Sequence, residues 1–226
     1  RRYELIAGER RFRAVRDFTE METIQAQIVI AGDLQARRIS AAENLQREDL
    51  SSIETIEAIV EIVDAELIED KRYATMGKTP ADRVKTLIGQ LDSVRRSEVR
   101  GSEVSGHSKA LSRKFAGQVE KIFKNLPKPL EWRSFYRHDL PILMDISEEV
   151  QKISIQDGLN RSQTRALETL KAASVEEFQR VTAYRQKSSN PVVEPDSKDS
   201  SQIDLRDLSA REIKGIAEKA AKKESL

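Results

Sequence analysis

The chain has 226 residues, of which 34% are charged, 38% hydrophobic and only 5% aromatic; this length suits one large or two modest domains with a buried core. It has no cysteine and two histidines, which excludes disulfides, thiolate zinc sites and a cysteine nucleophile, and argues against an imidazole metal cluster. Net charge is only +1, and no apolar run approaches the roughly 18 residues that would span a membrane, so the composition is that of a soluble intracellular protein.

In chain order, Tyr3–Ala7 ("YELIA") reads as a short strand, Gly8–Phe18 as a helix and Gln25–Ile30 ("QAQIVI") as a second strand with alternating apolar and polar residues. The chain begins inside the first strand and without a methionine, which predicts further chain upstream. Gly32 and Asp33 break the second strand and start a helix expected to run to about Glu48. Strand, helix, strand, helix in this order predicts a small mixed sheet with helices on it. At "DLSSIE", Ser51 or Ser52 can cap the next helix, with Glu54 placed to close a capping box. Ile53, Ile56, Ile59, Val60, Val63 and Leu67 then form one apolar stripe.

From Lys71 onward strand signals nearly vanish. Thr79-Pro80 is a helix cap followed by a favourable first helical residue, so a helix is predicted from Pro80 to about Leu91. Residues 93–108 are polar and rich in glycine and serine and read as a mobile loop. Helices are expected at about 109–125, 131–137, 147–157, 160–171 and 174–186. Residues 187–204 have the composition of a flexible linker. A short amphipathic helix, roughly 209–223, closes the chain, within a C-terminal segment 205–226.

The charge is unevenly distributed. Residues 1–70 hold 9 Lys/Arg against 16 Asp/Glu, a balance of −7, whereas residues 71–137 hold 16 against 6, a balance of +10. A basic module beside an acidic one points to a polyanion as partner of the middle segment; the alternative is a solvated cationic surface.

Two short stretches carry candidate chemistry. In "GERRFRA", Gly8 to Ala14, three arginines sit on the first turns of a helix behind a glycine. A helix N-terminus presents unpaired N–H groups and partial positive charge, and guanidinium forks bind phosphate oxygens two at a time. Arg10, Arg11 and Arg13 therefore read either as a phosphate clamp or as surface arginines paired with Glu9 and Asp17. The stretch is not a Walker A loop. In "ENLQREDL", Glu43 beside Asn44 offers two hard oxygen ligands suited to magnesium on a phosphate chain.

Taken together, "YELIAGERRFRAVR" followed about thirty residues later by "AAENLQREDLSSIE" resembles the ParB family of plasmid and chromosome partition proteins, as does "SEEVQKISIQDGLNRSQTRALETL" at 147–170. The resemblance implies an α+β fold: an N-terminal ParB/sulfiredoxin-like fragment over residues 1–70, lacking its N-terminal part, then a mostly α-helical DNA-binding domain with a helix-turn-helix over 71–186. It implies CTP with Mg2+ as cofactors and a clamp that closes on DNA and reopens on slow hydrolysis. By matching position, Gly8, Glu9, Arg10 and Arg11 would hold the phosphates, with Arg13 beside them; Glu43 and Asn44 would serve phosphates and magnesium, with Arg47 nearby. The family's first box is absent, so base specificity is not legible. Implied partners are double-stranded DNA carrying a centromere-like site, a Walker-type partition ATPase and a second copy of the chain, at a cytoplasmic, nucleoid- or plasmid-associated location. A ParB-domain nuclease and a ParB-like transcriptional regulator with a vestigial nucleotide site are the alternatives; no carboxylate cluster or histidine-metal motif for phosphodiester hydrolysis is visible.

"MGKTPADRVKTLIGQL" falls where the recognition helix of that family belongs, which makes Lys78, Thr79, Arg83, Lys85, Arg95, Arg96 and Arg100 the candidate DNA residues, Arg83 for a base and Arg95 and Arg96 for phosphate. Counted as a standard helix-turn-helix from Gly77, however, Arg83 falls on a position that is usually apolar. Leu208, Ile213, Ile216 and Ala220 form the apolar stripe of the last helix, the candidate dimer contact. Trp132, Phe135 and Tyr136 could stack on bases, but their helical spacing beside Leu140 and Ile142 reads as core packing, and His138 beside Asp139 lacks the nucleophile or metal partner of a general-base pair.

Overall fold

The computed structural model describes residues 3–188, 205 and 207–224. The elements are helices: α1 (Glu9–Phe18), α2 (Asp33–Leu45), α3 (Ser52–Leu67), α4 (Lys71–Ala74), α5 (Pro80–Val99), α6 (Gly106–Lys124), α7 (Trp132–Ser134), a π-helical segment (Phe135–Asp139), α8 (Leu140–Asp145), α9 (Glu148–Asp157), α10 (Arg161–Ala173), α11 (Val175–Ser188) and α12 (Ala210–Glu224). The chain divides into two units: residues up to Glu48 with Thr55–Leu140, and Asp49–Glu54 with the chain from Pro141 onward.

The expected α+β fold is corrected here. No strand is present among the described residues. Residues 3–7 and 25–30 take no regular secondary structure and make no ladder with each other or with any other described segment, and Ile28 and Ile30 are exposed. Alternation marks a chain able to be a strand, but a strand exists only when a second extended segment takes its N–H and C=O groups.

The first unit is built on the stripe of α3. Ile56, Ile59, Val60 and Val63 are buried, as are Val84, Leu87, Ile88 and Leu91 of α5 and Leu111, Phe115, Val119 and Phe123 of α6. Phe135 adds its ring to that of Phe123 at 5.3 Å in a tilted arrangement, and Trp132 is buried nearby in sequence. Local chemistry sets the helix starts. Asp70 caps α4 by accepting the N–H groups of Arg72 and Tyr73. Thr79 and Asp82 close a reciprocal capping box at α5, with Pro80 in the first position. Gly77 is required just before it: a Cβ there would lie 2.5 Å from that of Asp82 and 2.8 Å from the Arg83 nitrogen.

The stretch read as a loop over 93–108 is mostly helix. α5 continues to Val99 because Val94 is buried and Arg96 folds back on Asp92 one turn earlier; Ser105 then caps α6 through the Ser108 N–H. Only residues 100–105 connect the two helices.

In the second unit, Ser52 donates its N–H and hydroxyl to the Leu159 carbonyl, at 3.3 and 3.2 Å. Asn160 and Gln163 close the capping box of α10, and the Gln163 amide donates to the Leu208 carbonyl at 2.8 Å. The core joins Val150, Leu159, Leu167, Leu170 and Phe178 to Leu205, Leu208, Ile213 and Ala217. The stripe read as the candidate dimer contact is covered within the chain: Leu208, Ile213 and Ala220 are buried and Ile216 packs against the same core. The cover comes from α10 and α11. Of the expected linker, residues 187 and 188 end α11 and 189–204 lie outside the described residues.

Candidate anion and nucleic-acid sites

Gly8 stands at the N-terminus of α1 with φ 83°, in the left-handed region that favours glycine. Its N–H donates to Glu43 Oε1 on α2 at 3.0 Å, across 35 residues. The Arg11 guanidinium folds back over the same glycine, with Nη2 3.4 Å from where a Cβ would stand. Gly8, Arg11 and Glu43 are therefore brought together. Arg10 is exposed on the first turn of α1 and Asn44 is exposed beside Glu43; the Asn44 carbonyl accepts the Arg47 N–H at 3.0 Å as α2 ends. Arg13 instead pairs with Glu9 at 2.5 Å, one turn away on the surface of α1, which is the alternative the sequence left open for it.

As a test for magnesium, Glu43 and Asn44 fit a cation that keeps most of its waters and takes one or two protein oxygens. No group of three or more His, Asp and Glu residues able to hold a metal exists among the described residues.

The cationic candidates on α5 fall into three settings. Lys78, Thr79, Lys85, Arg95 and Arg100 are exposed, and Arg96 is about half exposed, paired with Asp92 at 3.1 Å. Arg83 is different. Its Nε and Nη2 donate to the two carboxylate oxygens of Asp64, each at 2.8 Å, and its Nη1 donates to the carbonyls of Lys78 and Gly77 at 3.1 and 3.4 Å. The Arg83 side chain is 12% exposed and that of Asp64 fully buried. A guanidinium so engaged has no face to offer a base edge; it fastens α5 to α3 and holds the turn before α5. The odd position of Arg83 in the helix-turn-helix pattern has this explanation: a buried ion pair stands where an apolar contact is usual.

Tyr73 completes the arrangement by donating its hydroxyl to Asp64 Oδ1 at 3.0 Å. Burial first, then the Asp64 charge, pushes the Tyr73 hydroxyl far above its ordinary range, and the Asp64 hydrogen bonds hold the Arg83 guanidinium protonated. Sequence reasoning missed Asp64 and Tyr73. The available signal was an acid at 64 inside the apolar stripe of α3, matched by an arginine inside the apolar stripe of α5; two opposite charges on two buried faces call for each other.

Residues 1–45, which end with α2, match the family model described as the ParB N-terminal domain. The chain is 29% identical over 156 residues to a probable plasmid-partitioning protein ParB of Thermus thermophilus, covering 69% of this chain and 46% of that protein. It is 32% identical over 112 residues to the chromosome-partitioning protein Spo0J of the same organism, covering 48% and 41%. The nucleoid occlusion protein of Bacillus subtilis is 40% identical over 89 residues, covering 38% and 31%. No solved structure matches. Over these stretches the chain is similar to ParB- and Spo0J-type partitioning proteins, and its first 45 residues match the ParB N-terminal domain. It spans less than half the length of these relatives.

Proposed function

We propose that the chain is a DNA-binding partition protein that recognises a centromere-like duplex site through the start of α5 and switches its grip with CTP and Mg2+ bound at α1 and α2. The observation that carries the DNA reading is the setting of α5: a capped helix, fastened from behind by Arg83 and Asp64, with Lys78, Thr79 and Lys85 exposed at its start. Those three residues sit where a recognition helix meets base edges and flanking phosphates. Arg95, Arg96 and Arg100, further along the same helix, suit the backbone. The acidic balance of residues 1–70 keeps the duplex on the basic middle of the chain.

The meeting of Gly8, Arg11 and Glu43 supports the nucleotide reading. The Gly8 N–H already binds a carboxylate, so a phosphate oxygen would compete for the same donor. Arg10 and Arg11 would then face the phosphates, Glu9 and Arg47 flank them, and Glu43, released from Gly8, would turn with Asn44 toward magnesium. Magnesium supplies charge neutralisation on the phosphate chain when bound. The printed roles of the relatives, plasmid partitioning, chromosome partitioning and nucleoid occlusion, all suit a nucleoid- or plasmid-associated homodimer, and partitioning suits a Walker-type ATPase as partner. Among the described residues no helix is long and apolar enough to cross a membrane.

Two measurements test this reading. Lys85→Ala and Arg95→Ala are each expected to reduce the slope of log affinity against log salt by about one for a DNA duplex, because each removes one phosphate contact. Unchanged slopes in both would move the DNA face off α5. Arg10→Ala is expected to abolish CTP binding in isothermal calorimetry while duplex affinity without nucleotide stays at the parent value; retained CTP binding would remove the clamp reading of α1.

A further inference from the structure

Asp92 lies on α5 with a side chain only 3% exposed, and two arginines reach it from two elements. Arg96 Nε, one turn further along α5, lies 3.1 Å from Oδ2; Arg137 Nη2, from the π-helical segment, donates to Oδ1 at 3.1 Å. Both arginines stay about half exposed, at 55% and 52%. A buried carboxylate thus holds two guanidinium groups side by side at the surface.

The backbone around Asp92 is shaped to bring Arg137 there. Phe135–Asp139 forms π-helix, whose wider turn re-aims side chains relative to an α-helix and recurs at functional sites. That segment comes very close to α5 at Gly89: a Cβ on Gly89 would stand 2.8 Å from the Tyr136 hydroxyl oxygen. Gly89, Asp92 and Arg96 follow one another at helical spacing on a single stripe of α5 that begins at Lys85. Arg137 therefore joins, from another part of the chain, the cationic stripe that the DNA reading uses.

We infer that Arg96 and Arg137 form a phosphate-binding pair for the duplex backbone, with Asp92 as the residue that positions both. The inference rests on the reading of α5 as the DNA-binding helix. Two arginines around one acid keep a net positive charge, and fixing their planes in advance reduces the ordering cost of gripping a phosphodiester oxygen.

The test uses the whole chain and a short random-sequence duplex, with affinity followed by fluorescence anisotropy across a salt series. Arg137→Ala is expected to lower affinity about 8-fold at 0.1 M salt and to reduce the salt slope by about 0.9, the signature of one lost phosphate contact. Asp92→Asn is expected to weaken duplex binding although it removes a negative charge, whereas Glu98→Gln, an exposed acid on the same helix, should strengthen binding or leave it unchanged. A purely structural or bulk-charge role for Asp92 predicts that a folded Asp92→Asn variant binds as well as or better than the parent. Thermal melting checks the fold, and if Asp92→Asn is unfolded, the half-exposed Arg137→Ala carries the decision. Parent affinity and slope in Arg137→Ala, with Lys85→Ala still impaired, would overturn the pair and leave α5 as the DNA helix. If the parent chain itself binds no duplex at low salt, the DNA reading falls and the pair with it. Loss of the difference between parent and Arg137→Ala on adding millimolar inorganic phosphate, with duplex binding otherwise intact, would assign the pair to a small phosphate and not to the backbone.

Discussion

Arg83→Ala is expected to destabilise the first unit by about 3–5 kcal/mol, the cost of leaving one partner of a buried ion pair uncompensated. Asp64 would keep its buried charge with only the Tyr73 hydroxyl close by and Arg37 at 3.7 Å. The carbonyls of Gly77 and Lys78 would lose their donor as well. Urea unfolding followed by circular dichroism measures the loss. The paired replacement Asp64→Leu with Arg83→Met is expected to recover most of it, since apolar residues of similar volume often replace a buried pair without net cost. A base-reading Arg83 makes the opposite prediction: unchanged stability, with about 1–3 kcal/mol lost on the cognate site alone. Arg83→Ala with parent stability would therefore sink the structural role.

Ile213→Ala is expected to cost about 2–5 kcal/mol, the range for truncating a buried isoleucine in a packed core. Ile213 is fully buried and lies in one cluster with Leu167, Leu170 and Phe178. Removing the chain after Ser188 takes away Leu205, Leu208, Ile213 and Ala217 together, so the second unit should lose its cooperative melt and expose Leu170 and Phe178. Light scattering on Ile213→Ala separates this from a role in assembly. Here the apparent mass should stay at the parent value while the melting temperature falls. A lowered mass at parent melting temperature would return α12 to the dimer interface.

These expectations differ from those of the sequence for a shared reason. Helix starts are written over a few residues: Thr79 and Asp82 bond each other across one turn, and Ser51 bonds Glu54 in the same way. The stripe of α3 is likewise a local pattern, because an α-helix repeats its face every three to four residues wherever it packs. Both were legible, and so were the pairing of the ParB-like boxes and the basic charge between residues 71 and 137. Within the loop read at 93–108, serines and glycines outweighed what was not visible locally, that Val94 and Asp92 would be buried.

By itself, then, the sequence carried the resemblance to the ParB family, the helical character of the chain beyond Lys71 and where most of its helices begin. The tertiary structure decided what long-range partners decide. Residues 3–7 and 25–30 have strand patterning, and without mutual pairing they take no regular secondary structure. Arg83 carries a charge suited to DNA, and Asp64, 19 residues earlier, takes it into the interior. Arg137 gave no signal in its own neighbourhood; a π-helical turn and the bare face of Gly89 set it against Asp92, 45 residues away. Side-chain periodicity and capping are properties of one turn of chain, but the partner of a charge or of an extended backbone is chosen only when distant segments meet.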